Sequence, residues 1–375
     1  MFRRQVVRLT RHQVSATAPH HAQRSANPTS AHREDCDVTN VTPPLRVVVI
    51  GTRGQAARVA VPTIALSERA DLVGVIGSEQ RRTREFADEL GVTSYPSISS
   101  LAKDGVDAVW LTAPNHLHAT MASELLESGV SVLLEKPMTT TLDDATSLRE
   151  VVARTEASAT LRVAYQHRFR PAHQLLRHQL RSGELGESGM LRVHRYWKFP
   201  YFAGDDPSGP APWRSSSTTS GGWAINDIGS HLVDLVLWMT QPQPLTVVSA
   251  VFGMQFPGVD NDSSALLTLG VGDRGLAVIE CSNALSSPGS LVEYYSGTAW
   301  ARLTNSFHPV AVSTTSLDDM SVTTTSDDSY LRMFDDFVAA CHGEPSEGAT
   351  ADEAWESVRL IQEARATGRY LAGPA

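Results

Sequence analysis

The first half of the chain alternates short apolar runs with amphipathic ones. Leu45–Ile50 (LRVVVI) is compact and β-branched, as a buried strand should be. A turn at Gly51-Thr52-Arg53-Gly54 follows, and then a helical stretch from Gln55 to Leu66. The alternation continues with strands at Asp71–Gly77, Asp107–Thr112, Ser131–Leu134 and Thr160–Tyr165. Helices between them are predicted at Gln80–Leu90, closed by Gly91, at His118–Ser128, closed by Gly129, and at Leu142–Glu156. Apolar strands separated by helices call for a doubly wound parallel sheet covered on both faces, an α/β arrangement. Ligands of such sheets sit at the carboxyl ends of the strands.

After Tyr165 the pattern changes. A helix is predicted at Pro171–Ser182, a strand at Leu191–Trp197, and a loop rich in Pro, Ser and Gly at Phe199–Gly222. An amphipathic helix follows at Ala224–Met239. Strand-like runs are read at Leu245–Gln255, Ser264–Leu269, Gly275–Asn283, Leu291–Gly297 and Ala299–Thr304, with weaker ones at Val310–Thr315 and Ser321–Thr325. Helices at Tyr330–His342 and Ala351–Thr367 complete the chain. Runs of strands followed by helices describe an α+β domain with a large, mostly antiparallel open sheet.

Composition narrows the partners. The formal net charge of −9 argues against a nucleic-acid or anionic-membrane partner, since both need a basic surface. No apolar run reaches the length of a membrane span. Cys36, Cys281 and Cys341 are far apart and lack CxxC spacing, so reduced thiols in a cytoplasm are expected. Met1–Arg33 carries Arg3, Arg4, Arg8, Arg11, Arg24 and Arg33 but no acid. Arg3-Arg4 invites an export reading, yet Arg8, Arg11 and His12 interrupt any apolar core. A transit peptide fits the composition only in a eukaryotic host. A disordered extension or an upstream start codon is the expectation, and residues 1–43 are set apart from the folded chain.

Chemistry gathers at strand ends. Gly51 closes a strand and opens a helix, where backbone N–H groups can approach a pyrophosphate. The usual GxGxxG/A fingerprint is imperfect: Arg53 replaces the second glycine, Ala56 takes the third place, and Gly54 supplies flexibility one residue on. A plain turn remains the alternative. The end of the second strand lacks the acid that holds an adenosine ribose, and offers Ser78, Arg81 and Arg82 instead. A 2′-phosphate suits such residues, so NADP(H) is favoured over NAD(H). Arg81 and Arg82 as solvated helix residues are the competing reading. Thr112, Pro114, Asn115 and His118 stand where a strand gives way to a helix and can meet the cofactor; Asn115 or His116 as an ordinary helix cap is the alternative. Glu135-Lys136-Pro137 follows the next strand; an ammonium there can hold a substrate hydroxyl. Asp227 and His231 lie four apart on a predicted helix and share a face, with Asp234 placed to orient His231. In a cleft, His231 is a general base for an alcohol proton. A metal site is rejected, because no further ligand cluster has suitable spacing.

Taken in order, these residues resemble the Gfo/Idh/MocA family (glucose–fructose oxidoreductase, inositol dehydrogenase, rhizopine catabolism). The resemblance runs from about Leu45 to the C-terminus. It rests on Thr112-Ala-Pro-Asn-His-Leu-His118, Glu135-Lys136-Pro137, Tyr165-Gln-His-Arg168-Phe-Arg-Pro171, Trp213-Arg214 and Gly221-Gly222…Asp227…His231…Asp234. It implies a Rossmann domain over 44–165 and an α+β domain over 166–375 that binds substrate and pairs subunits into a homodimer or homotetramer. The last helices are free to pack back on the first domain. It implies Lys136 as the catalytic lysine, His231 as acid–base group and Asp227 as the acid that orients substrate. Cofactor contacts are expected from Gly51, Thr52, Arg53, Gly54, Gln55, Ser78, Arg81, Arg82, Thr112, Pro114, Asn115, His118, Glu135, Lys136, Gln166 and Arg168. Substrate contacts are expected from Lys136, Arg168, Trp213, Asp227 and His231. Implied substrates are sugars, inositols or nucleotide sugars. A reductase of another carbonyl or imine, or a non-catalytic dinucleotide or sugar sensor, are the alternatives.

Overall fold

A computed structural model describes residues 43–186, 188–198, 216–255, 259–286, 289–307, 313–317, 320–324 and 328–371; for 313–317 and 320–324 only the backbone course is given. Strands β1 (Leu45–Ile50), β2 (Ala70–Ile76), β3 (Thr93–Ser94), β4 (Ala108–Leu111), β5 (Ser131–Leu134) and β6 (Leu161–Val163) form one sheet, in the order β3-β2-β1-β4-β5-β6. Every pairing in it is parallel. Helices α1 (Val61–Leu66), α2 (Gln80–Leu90), α3 (His118–Glu127) and α4 (Leu142–Thr155) make the crossovers. β4 and β5 are buried along their whole length, which is why their sequences run apolar without alternation. The strand order reverses between β1 and β4, so the crevice for a ligand opens at the carboxyl ends of those two strands.

The second sheet has nine strands: β7 (Gly189–Tyr196), β8 (Leu245–Gly253), β9 (Ser264–Val271), β10 (Gly275–Ser282), β11 (Leu291–Ser296), β12 (Trp300–Thr304), β13 (Ser313–Leu317), β14 (Met320–Thr324) and β15 (Arg369–Leu371). Their order is β14-β13-β12-β11-β7-β10-β9-β8-β15. The pairs β7–β10 and β8–β15 are parallel and the others antiparallel. One face carries Leu191, Val193, Leu267, Leu269, Ala277 and Ile279 into a core shared with helices α5 (Pro171–Ser182), α7 (Ser230–Thr240) and α9 (Ala351–Thr367). A four-residue helix, α6 (Ser217–Ser220), precedes α7, and α8 (Ser329–Cys341) precedes α9.

Three features depart from the sequence reading. The short strands β3 and β15 were not foreseen, because two or three residues carry no readable period. The helices read from Gln55 and Ala224 each begin with a wide π turn, at Ala56–Ala60 and Ile225–Gly229. The second of them is not amphipathic: α7 is buried on nearly every side, between the sheet and its neighbouring helices.

The C-terminal helices tie the two sheets together. Phe334 of α8 stacks on Trp110 of β4, with ring centroids 5.6 Å apart. Ala354 and Val358 of α9 belong to the first core, while Leu360, Ile361 and Ala364 belong to the second. Thr350 and Glu353 close the start of α9 with a capping box.

Candidate active site

The turn after β1 is shaped for close approach. Gly51 has φ +135, and a Cβ there would meet Thr112 Oγ1 at 2.2 Å and Ala56 Cβ at 3.0 Å. Thr112 donates its hydroxyl to the Ile50 carbonyl at 2.7 Å, which locks the ends of β1 and β4 together. Gly54 has φ +54 and open space around it. Thr52, Arg53 and Gln55 complete a loop that leads into the first π turn, a local geometry that recurs at functional sites. A turn this narrow, at the topological switch point, fits a dinucleotide.

Beyond β2 the side chains sort by their partners. Ser78 is exposed. Arg81 is 78% exposed and held by Glu85 at 3.0 Å and Glu79 at 3.8 Å. The sequence reading passed over Glu79, which stands past the strand end rather than on it. Arg82 is partly buried, and its Nε has no hydrogen-bond partner among the described residues.

The loops after β4 and β5 are joined by His118. It is fully buried, with Nδ1 2.8 Å from the Pro137 carbonyl and Nε2 2.9 Å from the Ala113 carbonyl. Through these contacts His118 braces the two loops. Pro114 leads into the turn, and Asn115 donates to the Ser220 carbonyl at 3.3 Å, drawing α6 toward the crevice. Glu135 is buried and accepts from the Trp110 indole at 3.2 Å, with the Gln55 amide also bonded to it. Burial pushes its carboxyl pKa up, against the pull of Lys136. Gln166, also buried, donates to the Tyr330 hydroxyl at 3.1 Å.

Lys136 meets the second half of the chain. Its Nζ donates to the Asp227 carbonyl at 2.7 Å and to Asp227 Oδ1 at 3.0 Å. Asp227 sits within the π turn that opens α7, and His231 begins the regular helix one turn later. A buried acid fixes this entry: Asp262 accepts from the backbone N–H groups of Trp223 (3.0 Å) and Ile225 (2.8 Å). Arg365 steadies the same corner through the Gly221 carbonyl and Asp262. Neither residue stood out in the sequence, because Asp262 comes from the segment before β9 and Arg365 from α9, both far along the chain.

His231 is 5% exposed, and its Nδ1 is buried with no hydrogen-bond partner among the described residues. Nε2 is therefore the nitrogen that meets the pocket. Burial drives its pKa well below the ordinary value of 6.5, and the positive charges of Lys136, Arg195 and Arg170 add to the effect. The ring packs edge-on against His167 (centroids 4.7 Å) and Tyr165 (6.0 Å).

Further residues of these motifs are engaged inside the protein. Arg168 is 1% exposed and makes a two-point contact with Asp234, at 2.6 and 3.0 Å, plus a 2.9 Å pair with Glu353. Asp234 consequently does not orient His231; its two oxygens belong to Arg168. Trp223 is 2% exposed and part of the interior. Trp213 and Tyr201 lie outside the described residues. Arg195, Arg170, His167 and Tyr330 surround His231 or Glu135; Arg195 and Tyr330 stand alone on separate elements and leave no motif, while His167 and Arg170 lie in the quoted 165–171 motif but were not singled out.

Comparison with known proteins agrees with this architecture. Residues 45–165 match the model of an oxidoreductase family with an NAD-binding Rossmann fold, and residues 173–295 match the C-terminal domain of the same family. A D-xylose 1-dehydrogenase (NADP(+)) of Haloferax volcanii is 27% identical over 325 residues, 84% of this chain and 94% of that protein. A D-xylose 1-dehydrogenase [NADP(+)] of Haloarcula marismortui is 27% identical over 217 residues, 56% of this chain and only 59% of that protein. A 3-ketoreductase from Actinomadura kijaniata, solved with NADP and TDP-benzene, superimposes with a TM-score of 0.75 over 88% of this chain and 100% of its own, at 21% identity. At that identity the likeness speaks for the fold alone.

Proposed function

The chain belongs to the Gfo/Idh/MocA oxidoreductase family, and we propose that it moves hydride between a nicotinamide cofactor and a ring carbinol or keto carbon of a sugar, inositol or nucleotide sugar. The observation that carries this reading is the meeting of Lys136, Asp227 and His231 beside the crevice where the strand order reverses. The nicotinamide, when bound, supplies or accepts the hydride.

The chain's own residues handle the proton. His231 stays neutral at working pH, so its Nε2 takes the hydroxyl proton during oxidation and returns it during reduction. Lys136 donates to the reacting oxygen, which stabilises negative charge as it develops there. Asp227 holds the ammonium in place and accepts from a neighbouring hydroxyl. Gly51, Thr52, Gly54 and Gln55 would hold the pyrophosphate end of the dinucleotide, with Glu135 and Gln166 beneath the crevice.

NADP(H) is the favoured cofactor, with NAD(H) as the alternative. Ser78, Arg53 and Arg82 remain available for a 2′-phosphate, and Arg81 is engaged by acids. The names of both xylose dehydrogenases support the same choice. The open face of the nine-stranded sheet exposes Met190, Leu266, Leu276 and Trp300, which supports self-association through that face.

The test is a panel of sugars and polyols with NADP⁺ or NADPH, followed by nicotinamide absorbance. Turnover by the unaltered protein, lost by at least about 100-fold in Lys136→Ala, is expected. Wild-type turnover in that variant would sink the assignment.

A further inference from the structure

One charge at the site has no carboxylate beside it among the described residues. Arg195 is on β7, whose residues Leu191 and Val193 are buried in the second core. Alternation along a strand puts Arg195 on the same inward face, at the end nearest the site. Its NH1 lies 3.4 Å from His167 Nε2, and the His167 ring meets that of His231 at 4.7 Å. The guanidinium rests over the Trp197 ring, 5.0 Å from its centroid.

The contact with His167 does not satisfy it. A neutral imidazole has one lone pair, and Arg170 Nε, 2.9 Å from His167 Nδ1, takes it. Burial keeps His167 neutral, its pKa well below 6.5. Nε2 therefore carries the proton, and Arg195 faces it donor to donor. Among the described residues no carboxylate pairs with Arg195 and no carbonyl accepts from it. Three other partly or fully buried arginines differ: Arg168 holds Asp234 and Glu353, Arg192 holds Glu280, and Arg365 holds Asp262 and the Gly221 carbonyl. At the site itself, Lys136 is matched by Asp227, and the second cation is matched by nothing described.

We propose that Arg195 anchors an oxyanion of the substrate, so that this site takes an acidic sugar, with its carboxylate or phosphate on the guanidinium and its reacting carbinol at Lys136 and His231. The Trp197 ring covers one face of the guanidinium and leaves its edge donors free, the geometry for a two-point contact with an oxyanion. Partial burial of Arg195 limits solvent screening of that contact. The inference rests on the reading of this pocket as the substrate site of a sugar oxidoreductase.

The test compares D-glucuronate and glucose 6-phosphate with D-glucose and D-xylose, in turnover and in calorimetric binding to the NADP⁺-loaded protein. The charged compounds should be favoured in kcat/KM by about 100-fold, and Arg195→Gln should collapse the acid-to-neutral ratio by a similar factor. Arg195→Lys, a point charge without the fork, should keep part of the ratio. In the unaltered protein, KM for the favoured acid should rise with salt while that for glucose does not, which answers the question even if Arg195→Gln fails to fold. Which acid wins separates a carboxylate from a phosphate. Turnover of neutral sugars alone, or an acid preference intact in Arg195→Gln, overturns the inference and leaves the oxidoreductase reading standing. Arg195-dependent binding of acids with no turnover of any sugar does the reverse.

Discussion

One helix serves two charge clusters that look alike in sequence and differ in what they have left to do. At its start Asp227 meets Lys136, whose side chain is 15% exposed, and His231 presents Nε2 to the pocket. Three residues after His231, Asp234 meets Arg168, and both are 1% exposed. In the second cluster Arg168 holds two carboxylates. Burial alone would lower the guanidinium pKa, but Asp234 and Glu353 outweigh it and raise it. In the first, a lysine, a neutral histidine and an arginine face the pocket with a single carboxylate directly paired among them. A saturated cluster fastens the segment at Arg168 to helices α7 and α9; an unsaturated one is available to a ligand. Exposure and remaining donors distinguish them, not residue type.

The comparison breaks most clearly by mutation. Arg168→Ala leaves Asp234 buried and uncompensated, and should cost about 3–5 kcal/mol in urea unfolding. Lys136→Ala, at a pair that solvent reaches, should change stability by less than about 1 kcal/mol while losing turnover. A stability loss in Lys136→Ala as large as in Arg168→Ala would erase the distinction.

Acid titration tests the neutral histidines. Burial, first of all, pushes His231 and His167 well below 6.5 and His173 down to about 3. In the unfolded chain these groups bind protons near 6.5, and in the folded chain they do not. Stability should therefore fall as pH drops below about 6.5 and continue falling toward about 3. For the same reason the acid limb of kcat/KM should lie well below 6.5. An activity loss centred near 6.5 would show that His231 is not the buried base.

The smallest effects should come from the cofactor's adenosine end, where the same rule applies. Arg81 is already paired with Glu79 and Glu85, so Arg81→Ala should change KM for NADPH by less than about 3-fold. Ser78→Asp puts a carboxylate where a 2′-phosphate would sit and should lower the NADPH-to-NADH ratio by about 10-fold or more. The opposite ranking would return Arg81 to the ligand set.

Legibility followed physical range. The six parallel strands were readable, short β3 apart, because their side chains are buried on both faces and the sequence runs apolar. The Gfo/Idh/MocA resemblance was readable because its motifs are short and local. Asp262 and Arg365, which fix the turn carrying Asp227, were not, since they act across the tertiary fold. The internal contacts of Arg168 and His118 were hidden for a related reason. A motif names a residue but not whether its side chain faces a ligand or another loop.

By itself the sequence determined the alternation of strands and helices, the turn at Gly51, and the presence of Lys136, Asp227 and His231 in order along the chain. Hydrophobic period and glycine chemistry are local, so one dimension is enough to read them. Only the tertiary structure decided that Lys136 reaches Asp227, that Asp234 belongs to Arg168, and that Arg195 comes to His167 with no paired carboxylate among the described residues. Those outcomes depend on how charges separated along the chain share a small number of acceptors once water is excluded, and that is set by packing in three dimensions.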